Sequence, residues 1–276
     1  MTTSFITNTA APALQNKGGN TGFRFKQFFV RHNRSSMKVG TDGVLIGCWS
    51  PIEPLAISHW PLACQQPTAN GQRRILDIGT GSGLIALMLA QRTSKIPAVQ
   101  IDAIDIDEAS CLQAQENFNA SPWAERLHAA HSSLQQWQTA NGKGYDLIVS
   151  NPPYFVDSLK APDAARCAAR HNDTLPFGIL MAESTRLLKQ DGILAVIVPC
   201  DAEQELQDSA AAQGLQCIRR CYVHPKPGRA AKRVLLAWQK DTSGRKNATE
   251  HLTLEDENGG RSIEYRNLTE DFYLKI

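Results

Sequence analysis

The strongest constraint on this chain is a single junction. Ile75-Leu76-Asp77-Ile78 is a short apolar run that passes into Gly79-Thr80-Gly81-Ser82-Gly83 and then directly into the helix formers Leu84-Ile85-Ala86-Leu87-Met88-Leu89-Ala90. A strand, a glycine-rich turn and a helix in that order make a βα unit whose turn wraps a ligand at a helix N-terminus. The spacing is Gly-x-Gly-x-Gly, not the Gly-x-Gly-x-x-Gly of dinucleotide sites. Asp77, at the strand end, sharpens the reading: its carboxylate repels a pyrophosphate and attracts an α-ammonium. S-adenosylmethionine, which carries an ammonium, a sulfonium and no phosphate, fits that logic. The plain alternative is an ordinary tight turn in an α/β protein.

The same rhythm continues along the chain. Strands are expected at Arg74–Ile78, Ile101–Asp105, Leu127–Ala130, Tyr145–Ser150 and Ile193–Val198. Helices fall between them, including Glu108–Asn119, Thr174–Lys189 and Ala202–Gln213. This pattern predicts an α/β, Rossmann-like, mostly parallel sheet flanked by helices. Cys217–His224 and Arg233–Trp238, separated by Pro225-Lys226-Pro227-Gly228, read as an antiparallel hairpin at one edge. We expect a flexible tail over residues 1–22 and a basic N-terminal cap with a loop over 23–72. The cap combines a short hairpin with a helix near Thr41–Trp49. The main domain is expected over 73–240. Over 241–276 we expect a polar excursion followed by a strand-like extension.

Two further strand ends carry chemistry. In Val99-Gln100-Ile101-Asp102-Ala103-Ile104-Asp105-Ile106-Asp107 the acids gather at the carboxyl end. An acid one strand along from a glycine turn accepts from the hydroxyls of a ribose, and Asp105 is placed for that. Asp107 reads as the cap of the following helix, and Asp102 as a solvated strand residue. Asn151-Pro152-Pro153-Tyr154 directly follows the run Tyr145–Ser150, at the end of a strand where open α/β sheets bind ligands. An amide, two stiff residues and an aromatic face suit a grip on a planar group bearing an amino nitrogen. The alternative is a strand-ending Asn-Pro turn.

Charge adds a partner class. The net charge is +2, but residues 1–41 hold Lys17, Arg24, Lys26, Arg31, Arg34 and Lys38 and no acid. A second acid-free stretch, Cys217–Arg233, holds Arg219, Arg220, Lys226, Arg229, Lys232 and Arg233. With the phenylalanines of Phe23–His32 interleaved, this pattern suits a phosphate backbone with stacked bases, here RNA. The alternative is a solvated basic face whose phenylalanines dock on the core. The seven cysteines are scattered and lack Cys-x-x-Cys, which argues for a reduced, cytoplasmic setting with no disulfide framework and no metal site. No apolar run approaches the roughly eighteen residues of a membrane span, and nothing in the chain calls for an obligatory protein partner.

Taken jointly, the glycine turn with Asp77, the acidic second strand and Asn151-Pro152-Pro153-Tyr154 resemble class I S-adenosylmethionine-dependent methyltransferases that modify amino nitrogens. Phe25–Phe29, Met37–Leu45, Asn119–Arg126 and Ser150–Tyr154 look like the bacterial tRNA(Val) adenine-N6 methyltransferase family, from about Phe23 to Trp238 and again over Leu268–Ile276. The resemblance implies a seven-stranded sheet and methylation of the adenine just 3′ of the anticodon. It also implies a catalytic set of Asn151, Pro152, Pro153 and Tyr154. The cofactor set is Asp77, Gly79, Gly81, Gly83, Asp105 and Ile106, to which the resemblance adds Thr41 at the methionine end. It further adds Ser133 and Leu134, with Ser133 standing where such enzymes carry an Asp for the cofactor's adenine. The RNA set is Lys26, Arg31, Arg34, Lys38, Lys226, Arg229 and Lys232. Protein glutamine-N5 methylation, rRNA guanine-N2 methylation and a non-enzymatic RNA-binding module are the competing readings. The short basic cap weighs against the first.

Overall fold

The computed structural model describes residues 21–35, 38–52, 72–139, 142, 144–153, 175–240 and 247–274. The tail over 1–20, much of the loop before the core, and Tyr154 lie outside that set.

One eight-stranded sheet organises the molecule. It comprises β3 (Arg73–Ile78), β4 (Val99–Asp105), β5 (Leu127–His131), β6 (Tyr145–Ser150), β7 (Leu188–Pro199), β8 (Gln216–His224), β9 (Arg233–Gln239) and β10 (Ala248–Thr253). Their order across the sheet is β10-β8-β9-β7-β6-β3-β4-β5. β9 alone runs against its neighbours β7 and β8, and every other pairing is parallel. The central strands read as continuous apolar runs because helices cover both their faces. A separate antiparallel ribbon, β1 (Gly22–Arg24) with β2 (Phe29–Arg31), forms the cap.

Alternation along the strands divides the core in two. Ile75, Ile101, Ala103, Leu147, Val149 and Ala195 pack with α1 (Thr41–Trp49), α2 (Leu84–Arg92), α3 (Glu108–Asn119) and α6 (Ile263–Thr269). Leu76, Ile78, Ile104, Ile148 and Leu194 pack with α4 (Phe177–Leu187) and α5 (Glu203–Ala212). Among the described residues no helix is long and apolar enough to cross a membrane.

Four expectations need correction. The sheet has eight strands, because Ala248–Thr253, read as part of a polar excursion, pairs in parallel with β8. The β8–β9 hairpin is therefore covered on its outer side by β10 and is not the edge. Arg261–Ile276, read as strand-like, contains helix α6. Ser262 caps it by accepting the Tyr265 amide, which turns Tyr265 and Thr269 together toward the core. Asp102 is not solvated: it takes a 2.6 Å ion pair from Arg74 and a 2.7 Å hydrogen bond from the Tyr145 hydroxyl. Trp137 extends that network by donating to the Tyr145 oxygen at 2.9 Å.

Candidate active site

Chain connections diverge at β3, which continues through α2 to β4 on one side and lies beside β6 on the other. In open α/β sheets ligands bind at such a switch point, outside the carboxyl ends of the strands. The turn 79–83 lies there with Gly79, Gly81 and Gly83 at φ of +70°, +54° and +81°. Gly83 has a second constraint, because a Cβ there would stand 2.5 Å from the Phe118 ring of α3. Among the described residues, a Cβ at Gly79 would meet nothing within 4 Å.

Asp77 is wholly buried beneath the turn. One carboxylate oxygen, Oδ2, accepts the Thr80 hydroxyl at 2.7 Å and the Ala86 amide at 3.2 Å. The other, Oδ1, is buried with no hydrogen-bond partner among the described residues. Burial raises the Asp77 pKa to about 7. The Thr80 and Ala86 hydrogen bonds work against that rise, and neighbouring Asp105 adds to it. An idle buried oxygen at the end of a central strand is suited to a cationic donor, and an α-ammonium supplies one.

Asp105 is pinned across two elements. Its Oδ2 accepts the Gly81 amide at 2.8 Å and its Oδ1 accepts the Asp107 amide at 3.0 Å. Burial raises its pKa as well, opposed by those two amides. Each oxygen keeps a lone pair for a hydroxyl. Asp107 serves separately as the α3 cap, accepting the Ser110 amide at 3.0 Å and the Ser110 hydroxyl at 2.7 Å. Ile106 beside it is 54% exposed, an apolar surface facing out of the strand end. Beyond β5, the Ser132 amide donates to the Asp105 carbonyl at 3.0 Å and brings the following residues alongside. Leu134 is buried there, and the Ser133 hydroxyl accepts the Gln136 amide at 3.4 Å.

Register joins the third strand to these two. Asp77 pairs with Ala103 and with Val149, so Asp105 and Asn151, each two residues further on, continue the same face. The Ser150 hydroxyl ties this strand end to the Ile78 carbonyl at 3.0 Å. Asn151 follows with its carboxamide oxygen buried and without a hydrogen-bond partner among the described residues. Pro152 is buried and Pro153 exposed. The expectation for Tyr154 falls outside the described residues. Three polar side chains therefore stand at three adjacent strand ends, and two of them hold a buried oxygen without a hydrogen-bond partner among the described residues.

Helix α1 brings Thr41 to the same place. Cβ atoms added at Gly43 and Gly47 would sit 3.1 Å from Leu84 and 2.7 Å from Met88. Those contacts set α1 and α2 side by side in the same direction, with both N-termini at the glycine turn. Asp42, next to Thr41, receives Arg233 at 2.9 Å from the start of β9.

The basic residues divide in use. Lys26 donates to the Glu270 carbonyl, Arg34 pairs with Glu116 at 2.7 Å, and Lys226 pairs with Glu255 at 3.0 Å. Arg31, Lys38, Arg229 and Lys232 are exposed and form no ion pair among the described residues. The interleaved phenylalanines differ in exposure, Phe23 being 36% exposed. Phe25 and Phe28 are buried, stacked on each other at 4.7 Å, and Phe29 is half-buried. Asn117, which contacts both the cap and the glycine turn, carries little mark in the sequence. Its signal was a polar residue beside Ala114 and Phe118 on the buried face of α3.

Residues 62–208 match the methyltransferase small domain family. A tRNA1(Val) (adenine(37)-N6)-methyltransferase of Parabacteroides distasonis is 45% identical over 257 residues, covering 93% of this chain and 99% of that protein. One from Bacteroides fragilis is 42% identical over 256 residues, covering 92% and 98%. A crystal structure of a predicted O-methyltransferase from Agrobacterium tumefaciens superposes with a TM-score of 0.56 at 15% identity, covering 84% of this chain and 96% of that one. The fold and the family match define a methyltransferase of the α/β type, with S-adenosyl-L-methionine as its methyl donor. More narrowly, the chain belongs to the tRNA1(Val) (adenine(37)-N6)-methyltransferase family.

Proposed function

We propose that this enzyme methylates the exocyclic N6 of adenine 37 in tRNA1(Val), in the cytoplasm, and that Asn151 is its principal catalytic residue. The observation that carries this reading is the buried Asn151 oxygen, unpartnered among the described residues, at a strand end beside those of Asp77 and Asp105.

When bound, S-adenosylmethionine supplies an electrophilic methyl on a sulfonium. The Asp77 Oδ1 would hold its ammonium, Asp105 its ribose hydroxyls, and the glycine turn would let the backbone approach closely. Ile106 and the Ser133–Leu134 segment would border its adenine, and Thr41 its methionine end. An adenine amino group is a weak nucleophile because its lone pair is spread into the ring. The Asn151 oxygen and the Pro152 carbonyl each accept one N–H, which draws the lone pair out of conjugation toward the methyl donor. Tyr154 stacks on the base. Stacking of this kind contributes about 1–3 kcal/mol per base. No strong base is required before transfer, because the nitrogen becomes acidic only once methylated. The side chains act chiefly by orientation and dipole placement. The target base has to be unpaired or flipped out to reach them.

Asn151→Ala should lower kcat on unmodified tRNA by roughly 100-fold or more, with little change in cofactor or tRNA affinity, as expected for a bond that strengthens in the transition state. Nucleoside analysis of tRNA treated with the wild type should show N6-methyladenosine. Full activity in Asn151→Ala, or a product that is N2-methylguanosine or a methylated protein glutamine, would refute the assignment.

A further inference from the structure

Asn117 of α3 is only 2% exposed, and its carboxamide serves two elements at once. Its oxygen accepts the Arg31 amide at 2.9 Å, and its nitrogen donates to the Arg31 carbonyl at 2.8 Å. The same nitrogen donates to the Ser82 carbonyl at 2.8 Å. One side chain thus grips both sides of a peptide position in strand β2 of the cap and the middle of the glycine turn. Its neighbours on α3 make the same junction. Gln113 accepts the Arg34 amide at 3.2 Å, Glu116 pairs with Arg34, and Ala114 and Phe118 lie against Gly83. From the other side, Ser35 Oγ comes within 3.3 Å of where a Cβ on Gly81 would stand.

We propose that Asn117 is a positioning residue that couples tRNA bound on the cap to cofactor held by the glycine turn, so that each ligand tightens the other. The proposal rests on tRNA being the substrate and on the cap being part of its surface.

The physical route is short. Arg31, Arg34 and Lys38 project from the segment that β2 begins, so engaging phosphates there fixes the Arg31 peptide. Fixing that peptide fixes the Asn117 carboxamide through two hydrogen bonds. The third bond then sets the Ser82 peptide, which is flanked by Gly81 and Gly83 at positive φ. A turn built of glycines has little stiffness of its own, so an external hydrogen bond decides its conformation. On the far side of the turn the Gly81 amide is bonded to Asp105, the proposed ribose ligand. Coupling between two binding sites is reciprocal, so tRNA and cofactor must affect each other by the same factor. A purely structural Asn117 would change stability and leave that factor alone.

The test uses the full-length chain, an unmodified tRNA transcript and S-adenosylhomocysteine, which binds without reacting. Each affinity is measured with and without a saturating amount of the other ligand. The wild type should show mutual tightening of roughly 5- to 10-fold, and Asn117→Ala should bring the factor close to one. An unchanged factor in Asn117→Ala overturns the proposal. If that variant does not fold, hydrogen exchange on the wild type decides. Binding of tRNA alone should slow exchange across residues 79–83, and unaltered exchange there overturns the proposal. A wild type that methylates tRNA yet shows no coupling overturns this inference and leaves the activity standing. One that neither binds nor methylates tRNA overturns both.

Discussion

Asp77 has one oxygen engaged and one without a partner among the described residues, and its burial has a measurable consequence. Its pKa of about 7 in the folded, cofactor-free protein stands above the 3.8 of an exposed carboxyl, and burial is the main cause. Between those values the folded state holds a proton that the unfolded state has lost. The carboxyl therefore favours folding fully below about pH 4, and that contribution disappears as pH rises through about 7. Asp77→Asn should accordingly stabilise the cofactor-free protein at pH 8, by an amount on the order of 2–3 kcal/mol, while weakening cofactor binding severely. Thermal denaturation across pH 5–8, with and without cofactor, checks both halves. A variant less stable than wild type at pH 8 would mean that the carboxylate is compensated in the empty site. If Asp77 has its proposed role, wild-type cofactor affinity should rise with pH up to about 7, since only an ionised carboxylate would hold the ammonium. The placement of Asp77, Asp105 and Asn151 at strand ends was legible in the sequence, because each stands at or just past the end of an apolar run. Asn117 was not, because its role depends on a cap and a turn that are 51 residues apart in the chain, at Arg31 and Ser82, and meet only in the fold.

At the scale of elements, periodicity revealed the buried strands and missed the exposed one. β10 carries Ala248-Thr249-Glu250-His251-Leu252-Thr253, with only Leu252 buried, so no apolar run marks it. Its pairing comes from β8, and the Arg219–Glu250 ion pair at 2.7 Å links the two strands. The Trp49 indole also donates to Glu250, at 3.1 Å, and ties α1 to the same strand. The α6 region misled for another reason. Ile263 and Tyr265 alternate like a strand, yet Ile263 is 57% exposed and the buried set is Tyr265, Thr269, Phe272 and Tyr273. The Ser262 cap ahead of that helical spacing was the available signal. The tail after α6 closes on the cap: the Lys26 amide donates to the Phe272 carbonyl at 2.7 Å, and Phe25 stacks on Tyr273 at 5.9 Å. Phe272→Ala should therefore cost about 3–5 kcal/mol, as removal of a buried aromatic ring does. Urea denaturation measures it, and a loss below about 1 kcal/mol would show that the tail packs too loosely to support the cap.

Across the whole molecule, the parallel strands and β9 together decide where charge can meet substrate. Because β8 runs parallel to β7, its carboxyl end lies at the same rim as Asn151, and the loop to β9 carries Lys226, Arg229 and Lys232 there. The cap brings Arg31 and Lys38 to the side of the glycine turn, so exposed cations flank the strand ends from two directions. The Asp42–Arg233 bridge at 2.9 Å joins the α1 terminus to the start of β9, and so links the two flanks. The sequence marked both stretches as free of acid, but it could not show that Lys26, Arg34 and Lys226 have partners within the fold. Cations already held by a carboxylate release fewer counterions on meeting a phosphate, so the residues without an ion pair among the described residues should dominate the salt dependence. Charge reversal at Arg31 and Lys38, and separately at Arg229 and Lys232, should each lower the slope of log affinity against log salt by about two for tRNA. Reversal at Lys226 alone should lower it by less than one, because Glu255 already offsets that charge. Cofactor affinity measured without tRNA should stay near wild type in the Arg229/Lys232 variant, since neither side chain belongs to the proposed cofactor set. Salt titrations of tRNA binding decide between the two arms. If the Arg229/Lys232 reversal leaves the slope unchanged while the cap reversal lowers it, the RNA crosses only the cap side of the rim.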